Sequence, residues 1–265
     1  MLRAFAATIR QTGGFTAEYL AVLAKADSLG YTKPSEATQE KDNEMMLGFI
    51  EDGNFANLEA FYQFKTDVGC DDFSKLNWKN PDAFEITLIG APVFTANEGW
   101  QGGSGKALNT NYSQATDAVN ASKTSFSFGT WILETQNAAS ALIEMGARTS
   151  SIRSYIFANL TSTRGCSGWI GSIGSLITST PDTRPGLAAL KRLGVERFVF
   201  KVDTQTQASN VAVSTADLTP NIYILGVNDN GSVGGEIDRT SQSAFIGNGN
   251  INVITLEQRL NTRMA

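Results

Sequence analysis

Residues 57–103 read NLEAFYQFKTDVGCDDFSKLNWKNPDAFEITLIGAPVFTANEGWQGG. The first apolar side chains of this stretch fall on alternate positions, at Leu58, Ala60, Tyr62 and Phe64. Such a period of two predicts a strand, and Phe61 on its other face predicts that both faces are mostly buried. A polar elbow and a second strand closed by glycines follow. We interpret the stretch as the first hairpin of a β-sandwich, and as the junction with a helical segment that precedes it.

Composition favours the same fold class. Apolar residues make up 42% of the 265 residues, enough to bury a sizeable core. Only 18% are charged, whereas 25 are glycine and Ser, Thr and Asn are abundant, as in chains of short strands joined by tight turns. Further strands are predicted at 85–88, 107–109, 126–134, 141–144, 154–160, 168–173, 176–178, 197–202, 222–227 and 243–246. About ten short strands without regular helices between them predict a mainly β fold of two packed antiparallel sheets, with helices at both ends.

Two helices are predicted before the sandwich. Thr16 caps the first and Gly30 ends it, while Ser35 caps the second and Gly53 lies beyond its end. Residues 1–55 are therefore predicted as a helical arm for attachment or oligomerisation, and residues 56–265 as the sandwich. Within the arm, the pattern of residues 1–14 is compatible with a strand, a helical turn or an extended segment. The apolar end of the second helix either docks on the sandwich or meets another subunit. The predicted oligomer or anchor contacts are Leu20, Leu23, Met45, Met46 and Phe49.

Two more helical segments are predicted near the C-terminus. Residues 187–194, LAALKRLG, read as a short helix that connects two strands. In the final segment, ITLEQRLNTRMA, Thr255 is positioned as a cap, and Leu256 and Leu260 lie four residues apart, which predicts an amphipathic helix.

Several function classes are excluded by what the sequence lacks. There is no histidine, which removes Ser-His-Asp and Cys-His nucleophile systems and the commonest transition-metal ligand. The net charge of −5 without a basic cluster argues against nucleic acid as a partner. No apolar run is long enough to cross a bilayer, and the apolar region in the first residues is too short to predict a signal peptide. Cys70 and Cys166 are compatible with a disulfide, but two buried free thiols are the favoured interpretation.

The candidate sites are few. Glu134 and Glu144 are a possible carboxylate pair, but two surface acids are the favoured interpretation. Residues 228–232, NDNGS, have side chains suited to calcium, yet a hairpin turn explains them better, so neither metal nor cofactor is predicted. Sugar recognition needs aromatic platforms beside hydrogen-bonding groups. The candidates are Trp78, Trp100 and Trp169, whereas Trp131 is predicted to lie in the core.

The order of several motifs resembles a known family. These motifs are FYQF, LNWKNP, EITLIG, a glycine-rich turn before KALNTNY, and FSFGTWIL, with NIYILGVNDNGSVGG, SAFIGNG and an amphipathic helix at the end. Over residues 56–265 they resemble the laminin-G-like, or concanavalin A-like, jelly-roll domains in virion proteins of tailed phages that infect Bacteroidetes. The resemblance implies a two-sheet jelly roll, a place in the virus particle, and a homo-oligomer, with a trimer as the first expectation. The longer stretch 178–194 departs from the pattern.

The sequence thus predicts a phage structural protein made in the host cytoplasm and located in the virion, as a tail fibre, tail accessory part or capsid decoration. Its expected partners are other virion proteins and a host-surface glycan. An alternative from another class is a carbohydrate-binding lectin module, and a further alternative is a capsule-degrading glycoside hydrolase. Because no catalytic motif stands out, no enzymatic activity is expected.

Overall fold

The computed structural model of the chain describes residues 14–133, 142–161, 164–171, 176–179, 184–208, 216–235 and 237–265. The helices in these ranges are α1 (Ala17–Leu29), α2 (Glu36–Glu51), α3 (Asn54–Asn57), α4 (Asp71–Ser74), α5 (Gln114–Asp117) and α6 (Val253–Met264). The strands are β1 (Leu58–Gln63), β2 (Thr87–Ile89), β3 (Val93–Thr95), β4 (Gly99–Gln101), β5 (Ala107–Asn109), β6 (Ser125–Ile132), β7 (Ile143–Arg148), β8 (Arg153–Thr161), β9 (Arg164–Trp169), β10 (Ile177–Thr178), β11 (Gly186–Leu193), β12 (Glu196–Lys201), β13 (Thr204–Ala208), β14 (Tyr223–Ile224), β15 (Val227–Asp229), β16 (Ser232–Gly234) and β17 (Thr240–Gly247). Residues 1–13 lie outside the described ranges.

The strands form two sheets. Sheet A has the order β13-β12-β11-β6-β17-β4-β3, with β1 also paired to β17. Sheet B has the order β10-β9-β8-β7-β14-β5-β2, and the β15–β16 hairpin joins it through β7. The pairing of β15 with β7 is parallel and the other described pairings are antiparallel. The predicted fold class, a mainly β sandwich of two antiparallel sheets with helices at both ends, is confirmed.

One apolar layer fills the space between the sheets. In sheet A, cross-strand partners bring a row of inward side chains together, at Val199, Leu190, Phe128, Ile246 and Ala60. The matching row of sheet B is Ile156, Met145, Ile224 and Leu108. All these residues belong to one buried cluster, as expected where two sheets face each other about 10 Å apart.

A second apolar layer covers the outer face of sheet A. A row formed by Phe200, Ala189, Gly129, Phe245 and Phe61 crosses the sheet on that side. The long helices α1, α2 and α6 contribute side chains to the cluster that contains it. Gly129 leaves space for its neighbours, since a Cβ there would lie 2.8 Å from the ring of Phe245. The central strands of sheet A are therefore buried on both faces.

Four of the five residues predicted as oligomer or anchor contacts are buried within the chain instead. Leu23, Met45, Met46 and Phe49 are buried against sheet A and α6, with 8%, 3%, 1% and 0% of their surface exposed. Only Leu20 stays available to a partner, at 50% exposed. The helices do begin and end near the predicted residues: Thr16 accepts the backbone N–H of Tyr19, and Gly30 adopts a left-handed conformation after α1.

The prediction of a short helix at residues 187–194 is wrong, because these residues form β11 at the centre of sheet A. Leu, Ala, Lys and Arg favour helices when nothing else decides. Here Ala188 and Leu190 face sheet B while Leu187 and Ala189 face the helices. Burial on both sides removes the alternation of polar and apolar residues by which a strand is recognised.

The opening stretch is also paired differently from the prediction. β1 does not form a hairpin with the next strand; it pairs with β17, near the other end of the chain. β2 lies in the other sheet. A contact between segments so far apart leaves no signal in the local pattern. The prediction of Thr255 as the cap of the final helix is also wrong, because α6 is capped by Asn252, whose side chain accepts the backbone N–H of Thr255.

Both cysteines are buried free thiols, as favoured by the sequence. Cys166 lies in the cluster between the sheets and Cys70 in the cluster under the helices. Burial raises the pKa of both thiols.

A buried ion pair connects the helices of the outer layer. The Arg263 Nε donates to Asp42 Oδ1, and Tyr19 donates to the other carboxylate oxygen at 3.3 Å. Asp42 has no exposed surface, and Arg263 also donates to the backbone carbonyl of Lys65 at 2.8 Å. Burial raises the pKa of Asp42 to about 6, against the lowering effect of Arg263 and of the hydrogen bonds. Asp42 therefore depends on Arg263 to stay charged at neutral pH.

We expect Arg263→Met to lower the free energy of unfolding by about 3–5 kcal/mol at neutral pH, because it leaves a buried carboxylate without its partner. Arg259→Met is the matched control. Arg259 joins α6 to Asp52 through two hydrogen bonds of 2.9 and 3.0 Å, but its side chain is 34% exposed. Loss of that surface pair is expected to cost under about 1 kcal/mol.

Urea denaturation measures both losses. Since protonated Asp42 needs no cation, the deficit of Arg263→Met is expected to narrow as the pH falls from about 8 to about 5. Equal losses for the two variants, or a deficit that does not change with pH, would contradict the assignment.

Candidate functional site

The outer face of sheet B carries a small aromatic cluster of its own. The long helices lie on sheet A, so this face of the sandwich is free of them. Along β8, Ile156 points into the core between the sheets, whereas Tyr155 and Phe157 point outward. On β9, Trp169 lies directly opposite Tyr155 and therefore on the same outer face. Alternation along one strand and register between two strands thus place three rings side by side.

Trp169 is the accessible member of this cluster. Its ring centroid lies 5.1 Å from that of Tyr155, at 57°, and 5.6 Å from that of Phe157, at 68°. Tyr155 and Phe157 are only 3% and 9% exposed and contact each other edge to face. Trp169 itself is partly exposed. Two buried rings therefore hold the indole in place while part of it faces the solvent.

A glycine on the next strand makes room for the cluster. Gly146 lies opposite Tyr155, and a Cβ there would be 2.4 Å from the Cα and Cβ of Tyr155. Its φ of +148° is also one that other residues rarely adopt. Tyr155 and Gly146 belong to a row of cross-strand partners that continues across sheet B through Tyr223, Asn109 and Thr87.

Charged side chains border the aromatic cluster. The Arg153 guanidinium lies 5.7 Å from the centroid of the Trp169 ring. Arg148 lies opposite Arg153 and donates to Asp229 Oδ2 at 2.6 Å. The hydrogen bond from Asp229 raises the pKa of Arg148. The Arg148 and Asp229 side chains are 35% and 39% exposed, so their polar atoms reach the surface.

Hydroxyl groups lie on the other side of the cluster. Ser167 is opposite Phe157, and its Oγ donates to Thr178 Oγ1 at 2.9 Å. Thr178 is exposed. The face therefore combines an accessible indole, two guanidinium groups, a carboxylate and hydroxyls on four neighbouring strands and the attached hairpin. Such a set can pack against an apolar surface of a small ligand and exchange hydrogen bonds around its rim.

The structure separates the three tryptophans that were predicted as sugar platforms. Trp169 lies on the outer face of sheet B around Tyr155, Phe157 and Arg153, called the open face below. Trp78 is 1% exposed and packs against Tyr19 and Phe73 under the helices. Trp100 is 3% exposed, and its Nε1 donates to Ser74 Oγ at 2.9 Å. Their burial leaves no ring face for a sugar, which corrects the prediction for Trp78 and Trp100; the prediction of Trp131 as a core residue is confirmed at 6% exposed.

Sequence reasoning missed most of the open face. The available signal was the alternation of Tyr155 and Phe157 on the predicted strand 154–160, with Trp169 on the next predicted strand; Arg153 lies just before the first of these strands. Asp229 was recognised only as part of a turn. That turn is confirmed: β15 and β16 form a hairpin around Asn230 and Gly231, which both have positive φ.

The predicted carboxylate pair does not form part of this face. Glu144 makes an ion pair with Arg239 at 2.6 Å, with 2% of each side chain exposed. Glu134 lies outside the described residues. In the part of the chain that the structure describes, no three acidic or cysteine side chains are grouped to hold a metal ion. Within the same ranges, no helix is long and apolar enough to cross a membrane.

No protein-family model and no curated protein matches the chain. Solved structures do match its fold. A mutant of Trypanosoma rangeli sialidase that displays trans-sialidase activity has a TM-score of 0.52 and 12% identity, over 84% of this chain and 38% of that one. Domain 4 of a GH43 extracellular arabinanase from Geobacillus stearothermophilus, in complex with arabinotriose, has a TM-score of 0.45 and 14% identity, over 77% of this chain and 98% of that one.

A third match is the CBM40 of Ruminococcus gnavus IT-sialidase bound to α2,3-sialyllactose. Its TM-score is 0.42 and its identity 11%, over 64% of this chain and 95% of that one. At 12% identity, the sialidase match, with its TM-score of 0.52, shows a shared fold and nothing finer. This chain spans less than half the length of the sialidase it matches.

The comparison overturns one expectation from the sequence. The lack of a histidine and of a recognised catalytic motif led to the expectation that the chain has no enzymatic activity. The sialidase that shares its fold is a glycoside hydrolase. A missing motif was therefore insufficient ground for excluding enzymes, and the expectation is withdrawn.

The role of Gly146 can be tested by Gly146→Ala. We expect a loss of at least about 3 kcal/mol in the free energy of unfolding, because the new methyl group meets backbone and Cβ atoms of Tyr155 that cannot move separately. Gly194→Ala is the control, since Gly194 also has positive φ, at +63°, but has no atoms within 4 Å of the new Cβ. It is expected to lose only about 1–2 kcal/mol. Similar losses in urea denaturation would show that backbone conformation alone explains the glycine.

Proposed function

We propose that this chain is a carbohydrate-binding β-sandwich and that the outer face of sheet B binds the sugar. The observation that carries the proposal is the partly exposed Trp169, held by two buried rings beside Arg153. A sugar ring has an apolar face of C–H groups and a rim of hydroxyls. The indole offers a flat apolar surface for the first, and the neighbouring side chains offer hydrogen-bonding groups for the second.

The rigidity of this platform supports the proposal. A side chain that is already fixed before binding loses less conformational freedom when the ligand arrives. Trp169 is fixed by ring contacts on β8, and Arg148 is fixed by Asp229. The site thus needs little reorganisation to accept a rigid ring.

The shared fold points in the same direction. The matched sialidase mutant displays trans-sialidase activity, so a protein with this sandwich acts on a glycan. The host-surface glycan expected from the sequence is a partner of the same kind. Placement in a phage virion, homo-oligomerisation and contact with other virion proteins stay predictions that rest on the sequence resemblance.

A glycan array with the wild type and two tryptophan variants tests the proposal. Trp169→Ala is expected to weaken binding at least about tenfold, because it removes the central aromatic contact. Trp78→Phe is the control, since it changes an indole that is buried under the helices on the other sheet. It is expected to bind as the wild type does.

Circular dichroism checks that both variants are folded. Absence of any binding by the wild type, or equal binding by Trp169→Ala, would overturn the proposal. Incubation of a bound glycan with the chain, followed by a measurement of new reducing ends, shows whether binding is accompanied by cleavage.

A further inference from the structure

The two arginines of the open face differ in their partners. Arg148 is held by Asp229 at 2.6 Å. For Arg153, the described residues provide no carboxylate and no hydrogen-bond acceptor; its contact is the Trp169 ring. Of the three charged groups described at the cluster, Arg148 and Asp229 offset each other and Arg153 is left uncompensated. This positive charge belongs to a chain whose net charge is −5.

The position of Arg153 suits an anionic group on a ligand that packs against Trp169. A guanidinium group beside an aromatic ring is oriented by the ring and less hydrated than an ammonium group. Its planar N–H groups match the two oxygens of a carboxylate and form two parallel hydrogen bonds. The guanidinium lies over the Trp169 ring, 5.7 Å from its centroid, so a ligand that contacts the exposed part of the indole brings its substituents close to it.

We propose, on the basis of the proposed function, that the open face prefers acidic saccharides and that Arg153 binds their carboxylate. Trp169 contacts the sugar ring, and Arg153 distinguishes a sugar acid from its neutral counterpart. Arg148 has a different role, because Asp229 already neutralises it and holds it in place. The distinction between these two arginines follows from their contacts and leads to different expected effects of substitution.

The test compares each acid with its own neutral form. The probes are oligogalacturonate and sialyllactose, each together with the product in which the carboxyl group has been reduced to an alcohol. Calorimetric titration of the wild type is expected to show at least about tenfold tighter binding of one of the acids than of its reduced form. This preference is expected to decrease as salt is added, since the charges are near the surface.

Arg153→Gln is expected to bind the acid no better than the reduced form, while its binding of the reduced form stays close to that of the wild type. Arg153→Lys, which keeps the charge without the planar pair of donors, is expected to retain part of the preference. Arg259→Gln is the matched control, because it removes a partly exposed arginine on α6, which lies on the opposite sheet from the open face. It is expected to keep the full preference.

Two outcomes overturn this inference: equal binding of acid and reduced form by the wild type, or an unchanged preference in Arg153→Gln. Trp169→Ala separates the two proposals. If it abolishes binding of both forms while Arg153→Gln keeps the preference, the sugar face stands and the role of Arg153 is wrong. If Trp169→Ala binds both forms as the wild type does, the proposed binding face itself is wrong.

Discussion

Burial of the central strands of sheet A on both faces is the constraint on which the rest of the structure depends. Strands β1 and β17 are buried along their whole length, and β6 and β11 along most of theirs. One side of these strands faces sheet B and the other faces α1, α2 and α6. The helical segments at the two ends of the chain therefore complete the fold of its central sheet. Their apolar surfaces are used within the chain, and sheet B is left with the open face.

This constraint also explains how far the sequence could predict the fold. These local signals predicted structure correctly: Thr16 caps the first long helix, Gly30 ends it, and Asn230 and Gly231 form the predicted hairpin turn. These depend on the conformational preferences of a few adjacent residues. The central strand β11 was missed because a strand buried on both sides has no polar face. The pairing of β1 with β17 was missed because nothing in either segment identifies the other.

The candidate site shows the same limit at the level of single side chains. Trp78, Trp100 and Trp169 have similar neighbours in the sequence, and only Trp169 reaches the open face. The decisive information was the face of the sheet to which each ring points. Alternation along β8 places Tyr155 and Phe157 on one face, but their contact with Trp169 depends on the register between β8 and β9. Register is a property of the folded sheet, so the sequence offered candidates and the structure selected among them.

Two buried ion pairs differ from Arg153 in both pairing and exposure. Asp42 with Arg263 and Glu144 with Arg239 are paired and almost without exposed surface. An unpaired charge at either place would be costly, since a buried ion needs its partner. Arg153 lies at the surface, where water makes an unpaired guanidinium tolerable, and it contacts an aromatic ring instead of a carboxylate. In the proposed role of Arg153, an acid group of the ligand supplies the partner that the described residues do not provide.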